Sequence, residues 1–292
     1  MSSNEVLFRR INQCFGSLHA TLLVLALYTL AEEQKNHWHA YSRITVDGVS
    51  VEIYPLFISI AIHSFGFFIH LSFVINARRI IEDEFLVNNS NPYRWVASLA
   101  GDGAALVGVQ LVVGGADLRA LYSIPIIYFS VVSMCYLQDQ VSTIKRPLLF
   151  GSVLYALLAF SIIASQEREE VTLNIVGTTI DVKQVVIFAL IQFSLSFCVQ
   201  FMHTKSRPAH ISVKTVTDTP VASPSSSVSD DGPPLQTTIE AAGVELDNVL
   251  FLQRIGIHFE CAYYLNSTFF QMLVSWVIIG ITREGLELSS VP

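Results

Sequence analysis

The sequence predicts an all-α membrane protein, a bundle of seven transmembrane helices formed by residues 1–292 as one domain, with a short β-hairpin outside the membrane. Hydrophobic residues make up 52% of the chain and charged residues only 14%, whereas a soluble domain has about 25% charged residues. Apolar stretches of about 20 residues can cross a hydrocarbon core, and they must be helices because lipid offers no partner to an open sheet edge. The seven stretches are Gly16–Ala31, Ile53–Ile75, Trp95–Val113, Leu121–Leu137, Leu148–Ala164, Val182–Met202 and Phe259–Ile281.

The distribution of basic residues predicts the orientation of the bundle. With seven spans, the N-terminus lies on the same side as the second, fourth and sixth connections. That side carries 11 of the 17 lysine and arginine residues. Because cytoplasmic loops hold the excess of basic residues, we expect an integral, multi-pass protein in contact with membrane lipid. Its N-terminus is predicted to be cytoplasmic and its C-terminus to lie outside.

Two connections have distinctive compositions. In the first, residues 32–50, alternating strand-forming residues flank the turn pair Asp47 and Gly48, which predicts the hairpin. The second, residues 204–247, contains a stretch from Pro220 to Pro234 made almost entirely of Pro, Ser, Val, Asp and Gly. Such a composition buries too little apolar surface to become ordered. It predicts a flexible cytoplasmic loop, a candidate docking segment for a cytoplasmic protein partner.

Charge and metal-ligand spacing argue against several classes of function. The net charge is −7 and no basic stripe with interleaved aromatic residues occurs, which argues against a nucleic-acid partner. The four cysteines show neither zinc-site nor disulfide spacing. His63 and His70 lie on one helix face but roughly 10 Å apart along its axis, and His19 alone does not complete a metal site. We therefore predict no metal and interpret these histidines as core residues.

Polar residues inside the apolar stretches mark the candidate site. Asp102 is the only carboxylate deep in a predicted span, and an ionised carboxylate there is costly unless it is paired or hydrated. It fits either a proton or ion relay or a hydrogen bond to another helix. In the last span, Asn266, Ser267 and Gln271 form a polar stripe that is expected to face the bundle interior.

Charged residues at the edges of the spans have a simpler interpretation. Glu260 and His258 stand at the cytoplasmic mouth of the last span, where hydration is expected to make charge inexpensive. All five lysines lie between the apolar stretches or at their edges, namely Lys35, Lys145, Lys183, Lys205 and Lys214. Only a primary amine forms a Schiff base with an aldehyde, so the predicted bundle core lacks the group for that chemistry.

Several motifs resemble the heliorhodopsin family. The basic entry to the first span, Leu7-Phe-Arg-Arg-Ile-Asn12, is similar to that of the family, and Asn91-Pro-Tyr-Arg-Trp95 resembles its Asn-x-x-Arg-Trp motif. In the last span, Glu260, Tyr263, Ser267 and Trp276 fall at the spacing of the Glu, Tyr, Ser and Trp of the family. The resemblance covers all seven spans and is strongest at the first, third and seventh.

The resemblance implies a rhodopsin-like fold, a photoreceptor-like role and a homodimer. It also implies a retinal pocket near Ser267 and Trp276, with the retinal-binding lysine at the position of Gln271 and its carboxylate counterion at the position of Ala97. Both charged groups are absent at these positions. Losing both avoids leaving one buried charge unpaired. We therefore expect no covalently bound cofactor and no acid opposite position 271, and non-covalent retinal stays open.

The leading hypothesis is a heliorhodopsin-like membrane protein, not an enzyme, with a sensory, regulatory or partner-binding role. One alternative is a proton or ion transporter or channel in which Asp102 and Asn266 line a polar path. Less favoured alternatives are a non-covalent retinoid or lipid binder and an intramembrane hydrolase with a histidine-bound metal. The spacing of the histidines argues against the hydrolase.

Overall fold

A computed structural model describes residues 2–36, 42–46, 49–85, 91, 93–113, 118–140, 172–175, 178–206 and 246–284. These residues are mostly helical. The long helices are α1 (Ser3–Asn36), α2 (Pro55–Ile75), α3 (Arg94–Val113), α4 (Leu118–Gln140), α5 (Val182–Ser206) and α6 (Leu246–Glu284). The strands are β1 (Ser42–Val46), β2 (Val49–Ile53), β3 (Thr172–Ile175) and β4 (Thr178–Asp181).

Several of these helices have the length and composition of membrane spans. Within the described residues, four are long and apolar enough, namely Ser3–Lys35, Pro55–Ile75, Arg94–Val112 and Gln253–Arg283. Shorter apolar segments occur at Tyr122–Leu137 and Val182–Gln192. The predicted fifth span, Leu148–Ala164, lies outside the described residues, as does most of the predicted loop 204–247. The count of seven spans and the orientation therefore stay predictions.

Two short antiparallel strand pairs lie between the helices. Strands β1 and β2 pair with Arg43 opposite Glu52 and Thr45 opposite Ser50, while residues 47 and 48 between them lie outside the described part. Strands β3 and β4 pair with Thr172 opposite Asp181. The placement of these pairs outside the membrane stays a prediction.

Helices α3 and α6 occupy the centre of the described bundle. Along the chain, α1 packs on α2, α2 on α3 and α3 on α4, while α6 contacts α1, α2, α3 and α5. The outer faces carry exposed large apolar side chains, such as Phe65 and Phe68 on α2 and Tyr122, Ile126 and Phe129 on α4. Contiguous exposed apolar surface of this kind suits contact with lipid rather than water.

A buried ion pair joins the start of α3 to α6. The Arg94 guanidinium donates to the Glu260 carboxylate, and each side chain is only 1% exposed. Asn91 reinforces the contact, because its backbone N–H donates to Glu260 Oε1 over 3.2 Å and its side-chain Nδ2 donates to Tyr264 Oη over 3.3 Å. The guanidinium also lies over the ring of Trp95, 4.9 Å from its centroid.

This ion pair corrects the expectation that Glu260 is hydrated at the mouth of the last span. Its charge is tolerated because the Arg94 guanidinium stands beside it, not because water reaches it. His258, two residues earlier, is exposed. Sequence alone gave no sign that position 94 and position 260 meet.

Removing one partner of the Arg94–Glu260 pair should destabilise the bundle strongly. Glu260→Gln strands a buried guanidinium, and a charge left uncompensated in this way costs about 3–5 kcal/mol. Replacing both residues by leucine should cost less than the sum of the two single changes. Unfolding of the purified protein in detergent measures all three variants.

The matched control is the exposed pair in which Arg78 Nε lies 3.0 Å from Glu82 Oε1. Because such surface pairs contribute little, Arg78→Gln should hardly change stability. Equal losses at positions 78 and 260 would contradict the assignment of the α3–α6 pair as a structural anchor.

Candidate functional site

Asp102 lies at the junction of α3, α4 and α6, completely buried. Its Oδ1 accepts hydrogen bonds from Ser267 Oγ over 2.5 Å and from Gln271 Nε2 over 2.6 Å. Its Oδ2 accepts from Ser98 Oγ over 2.9 Å and from Tyr128 Oη over 3.4 Å. These five residues form the Asp102 cluster, and they satisfy both carboxylate oxygens with neutral donors.

Small residues on α3 let the neighbouring helices come this close. A Cβ added at Gly101 would lie 2.6 Å from Gln271 Nε2, and one at Gly103 would lie 3.3 Å from Tyr128 Cδ1. The first distance is shorter than any ordinary contact, so α6 can bring Gln271 to Asp102 only because position 101 has no side chain. Close approach through small residues is typical of packed membrane helices.

The Asp102 cluster corrects one expectation from the sequence. We expected no acid opposite position 271, because the implied counterion position is Ala97. The structure places the Asp102 carboxylate 2.6 Å from the Gln271 amide nitrogen. Ala97 lies on the same helix about 7.5 Å earlier along its axis. Which residue of α3 faces position 271 depends on the packing of two helices, and motif spacing within one helix does not reveal it.

Two other predicted site residues lie elsewhere. Asn266 Oδ1 accepts a hydrogen bond from Gln192 Nε2 of α5 over 2.5 Å, and Asn266 Nδ2 donates to the Ala262 carbonyl of its own helix. Asn266 therefore joins α6 to α5 and does not extend the Asp102 cluster. Trp276 is 37% exposed, so its side chain reaches the surface of the described bundle.

Ser98 and Tyr128, which the sequence analysis did not single out, also belong to the Asp102 cluster.

The second buried polar group consists of three histidines, His19 on α1 with His63 and His70 on α2. His19 Nδ1 lies 3.1 Å from His63 Nδ1, and the rings of His19 and His70 stack with centroids 5.6 Å apart. All three are buried, as expected of core residues, and the sequence did not predict that α1 places His19 between the other two. Within the described residues, no three acidic, histidine or cysteine side chains are arranged to hold a metal ion.

The histidine cluster is tied to its surroundings by polar and aromatic contacts. His70 Nδ1 lies 2.8 Å from Asn12 Oδ1, and His19 Nε2 lies 3.5 Å from Thr268 Oγ1. The ring of Tyr264 packs edge-on against His70 at 5.1 Å. Thr268 directly follows Ser267 of the Asp102 cluster, so the two buried polar groups meet the same turn of α6.

No protein-family model matches the chain, and no curated protein matches it in sequence. The features that bear on function are therefore the two buried clusters and the motifs that resemble the heliorhodopsin family.

Gly66 should be intolerant of even one methyl group. A Cβ at Gly66 would lie 2.5 Å from His19 Nδ1, and His63 and His70 hold the His19 ring in place. We expect Gly66→Ala to lower the midpoint of thermal unfolding. Gly16→Ala is the control, because its new Cβ would meet His70 Cβ at an ordinary 3.4 Å. Equal behaviour of the two variants would show that the histidine cluster is not tightly packed.

Proposed function

We propose that the protein is a heliorhodopsin-like integral membrane protein with a sensory, regulatory or partner-binding role that does not bind retinal covalently. The observation that carries this proposal is the hydrogen bond between the Gln271 amide and the Asp102 carboxylate, 2.6 Å long. The resemblance implies an imine-forming lysine at position 271. The neutral Gln271 amide at this position donates a hydrogen bond to the Asp102 carboxylate.

The chemistry of the amide supports the absence of a covalent pigment. A carboxamide nitrogen is not a nucleophile toward an aldehyde carbon, whereas a lysine amine is. The Gln271 side chain is 4% exposed, so it is packed within the bundle. Asp102 is satisfied by four neutral donors, and in the part of the chain that the structure describes no basic side chain donates to it. The cluster thus holds α3, α4 and α6 together without a cation.

The remaining features suit a signalling or docking role. We infer an N-terminus in the cytoplasm, since the basic residues are concentrated on that side. The Ser- and Pro-rich segment between α5 and α6 is then the candidate contact for a cytoplasmic partner. A homodimer fits the family resemblance, and non-covalent retinal would need to bind beside Gln271 without forming a bond to it.

Adding all-trans retinal to the purified protein tests the absence of an imine. We expect no visible absorbance band that hydroxylamine abolishes, because no buried amine is available at position 271. A hydroxylamine-insensitive band would indicate non-covalent binding, and a hydroxylamine-sensitive band would refute the proposal.

Gln271→Lys should create the missing site if the surrounding cavity is intact. The new amine would reach the carboxylate that now binds the amide, so we expect this single change to produce a coloured, hydroxylamine-sensitive species. Adding Asp102→Asn should abolish or shift that absorbance more than adding Ala97→Glu does. Absence of colour in both Gln271→Lys and Gln271→Lys/Ala97→Glu would show that the pocket has been repacked.

A second candidate function is proton or ion conduction through the Asp102 cluster. Its support is the run of hydroxyl groups around the carboxylate, where Ser98 Oγ lies 2.5 Å from Tyr128 Oη. Asp102→Asn removes the titratable group, so it should abolish flux in liposomes if this function is real. Glu82→Gln is the control, since it makes the same chemical change at an exposed residue. Unchanged flux in Asp102→Asn would eliminate conduction through Asp102.

A further inference from the structure

Four buried polar atoms on two neighbouring helices lack a hydrogen-bond partner among the described residues. They are Ser59 Oγ and His63 Nε2 on α2, with Gln271 Oε1 and Ser275 Oγ on α6. The most exposed of these residues is Gln271, at 4%. A buried polar group without a partner costs about 1–3 kcal/mol, so four on one pair of helices require a physical explanation.

The four residues form two pairs with the same spacing along their helices. Ser59 and His63 are four residues apart, as are Gln271 and Ser275, so each pair lies on one face of its helix. Helices α2 and α6 contact each other. A Cβ at Gly108 would touch Ile58, Val274 and Ile278 together, which sets Ile58 of α2 beside the 274–278 turn of α6.

A second contact fixes the direction of this register. His63 meets His19, and His19 in turn meets Thr268 of α6. Later residues of α2 therefore match earlier residues of α6, and the two helices run antiparallel. This register brings Ser59 level with Ser275 and His63 level with Gln271.

We propose that the seam between α2 and α6 binds ordered water, which bridges Ser59, His63, Gln271 and Ser275. The occupant must donate to Gln271 Oε1, because an amide oxygen only accepts, while the two hydroxyls and the imidazole nitrogen can donate or accept. Water meets this requirement, and a buried water typically makes about three hydrogen bonds to otherwise unsatisfied groups.

The proposed water would join the two buried clusters. His63 belongs to the histidine cluster through its Nδ1, and Gln271 belongs to the Asp102 cluster through its Nε2. The atoms of these two side chains that lack a partner among the described residues are His63 Nε2 and Gln271 Oε1. Bridging them would connect α1 to α4 through one continuous polar network. The inference depends on neither retinal nor the proposed function.

One competing arrangement makes a different prediction. Each serine hydroxyl could turn toward the carbonyl four residues earlier in its own helix, as buried serines in helices often do. Ser59 would then bond to Pro55 and Ser275 to Gln271 itself. In that case the two serines would act independently, and His63 and Gln271 would remain unsatisfied.

A double-mutant cycle on Ser59→Ala and Ser275→Ala distinguishes these arrangements. If both serines bind shared water, each single change should lower the folding equilibrium constant, roughly fivefold for one hydrogen bond. The double variant should then lose less than the product of the two single effects. Single changes that stabilise the protein, or that combine without coupling, would overturn the proposal.

Thr282→Ala supplies the control for the cycle. Thr282 is buried on α6, but its hydroxyl donates to the Ile278 carbonyl over 2.9 Å, so it should show no coupling to Ser59.

A high-resolution structure of the unmodified protein gives a second readout that needs no variant. Ordered density between Ser59 and Ser275 would support bound water, and a dry, closed seam would overturn it.

Discussion

The described bundle depends on satisfying one buried carboxylate with neutral donors. Asp102 is completely buried, and an unsatisfied carboxylate at that depth would be prohibitively costly. Serine, tyrosine and glutamine side chains from three helices meet this requirement. Because every donor comes from a defined position on α3, α4 or α6, the requirement also fixes how these helices are rotated against one another. Gly101 is part of the same constraint, since a side chain there would displace Gln271.

The same constraint bears on function. A lysine at position 271 would bring a cation to Asp102 and create a buried ion pair, but the chain has an amide there instead. Among the described residues, Arg94 and Glu260 form a buried ion pair near the start of α3. The interior around Asp102 is held instead by hydrogen bonds from neutral side chains. At position 271 this interior has an amide and not the amine that an imine with retinal requires.

Within the described residues, apolar runs predicted the positions of the helices but not their ends or their contacts. The third span was predicted from Trp95 and the helix begins at Arg94, whereas α1 begins at Ser3 rather than Gly16. Buried polar residues such as Asn4 and Asn12 explain that difference, since hydropathy assigns them to water. Asp102, Ser267 and Gln271 could be singled out from sequence because polar residues in apolar helices are conspicuous. Their partnership depends on the register between helices, as does the meeting of His19 with His63, and a single sequence does not encode either visibly.

We propose that no amine in the bundle forms an imine with retinal. The most direct measurement is the intact mass of the purified protein after incubation with all-trans retinal and reduction with borohydride, which converts an imine into a stable secondary amine. We expect an unchanged mass for the wild-type chain and the addition of one retinyl group for Gln271→Lys. A stoichiometric retinyl adduct on the wild-type protein would contradict it.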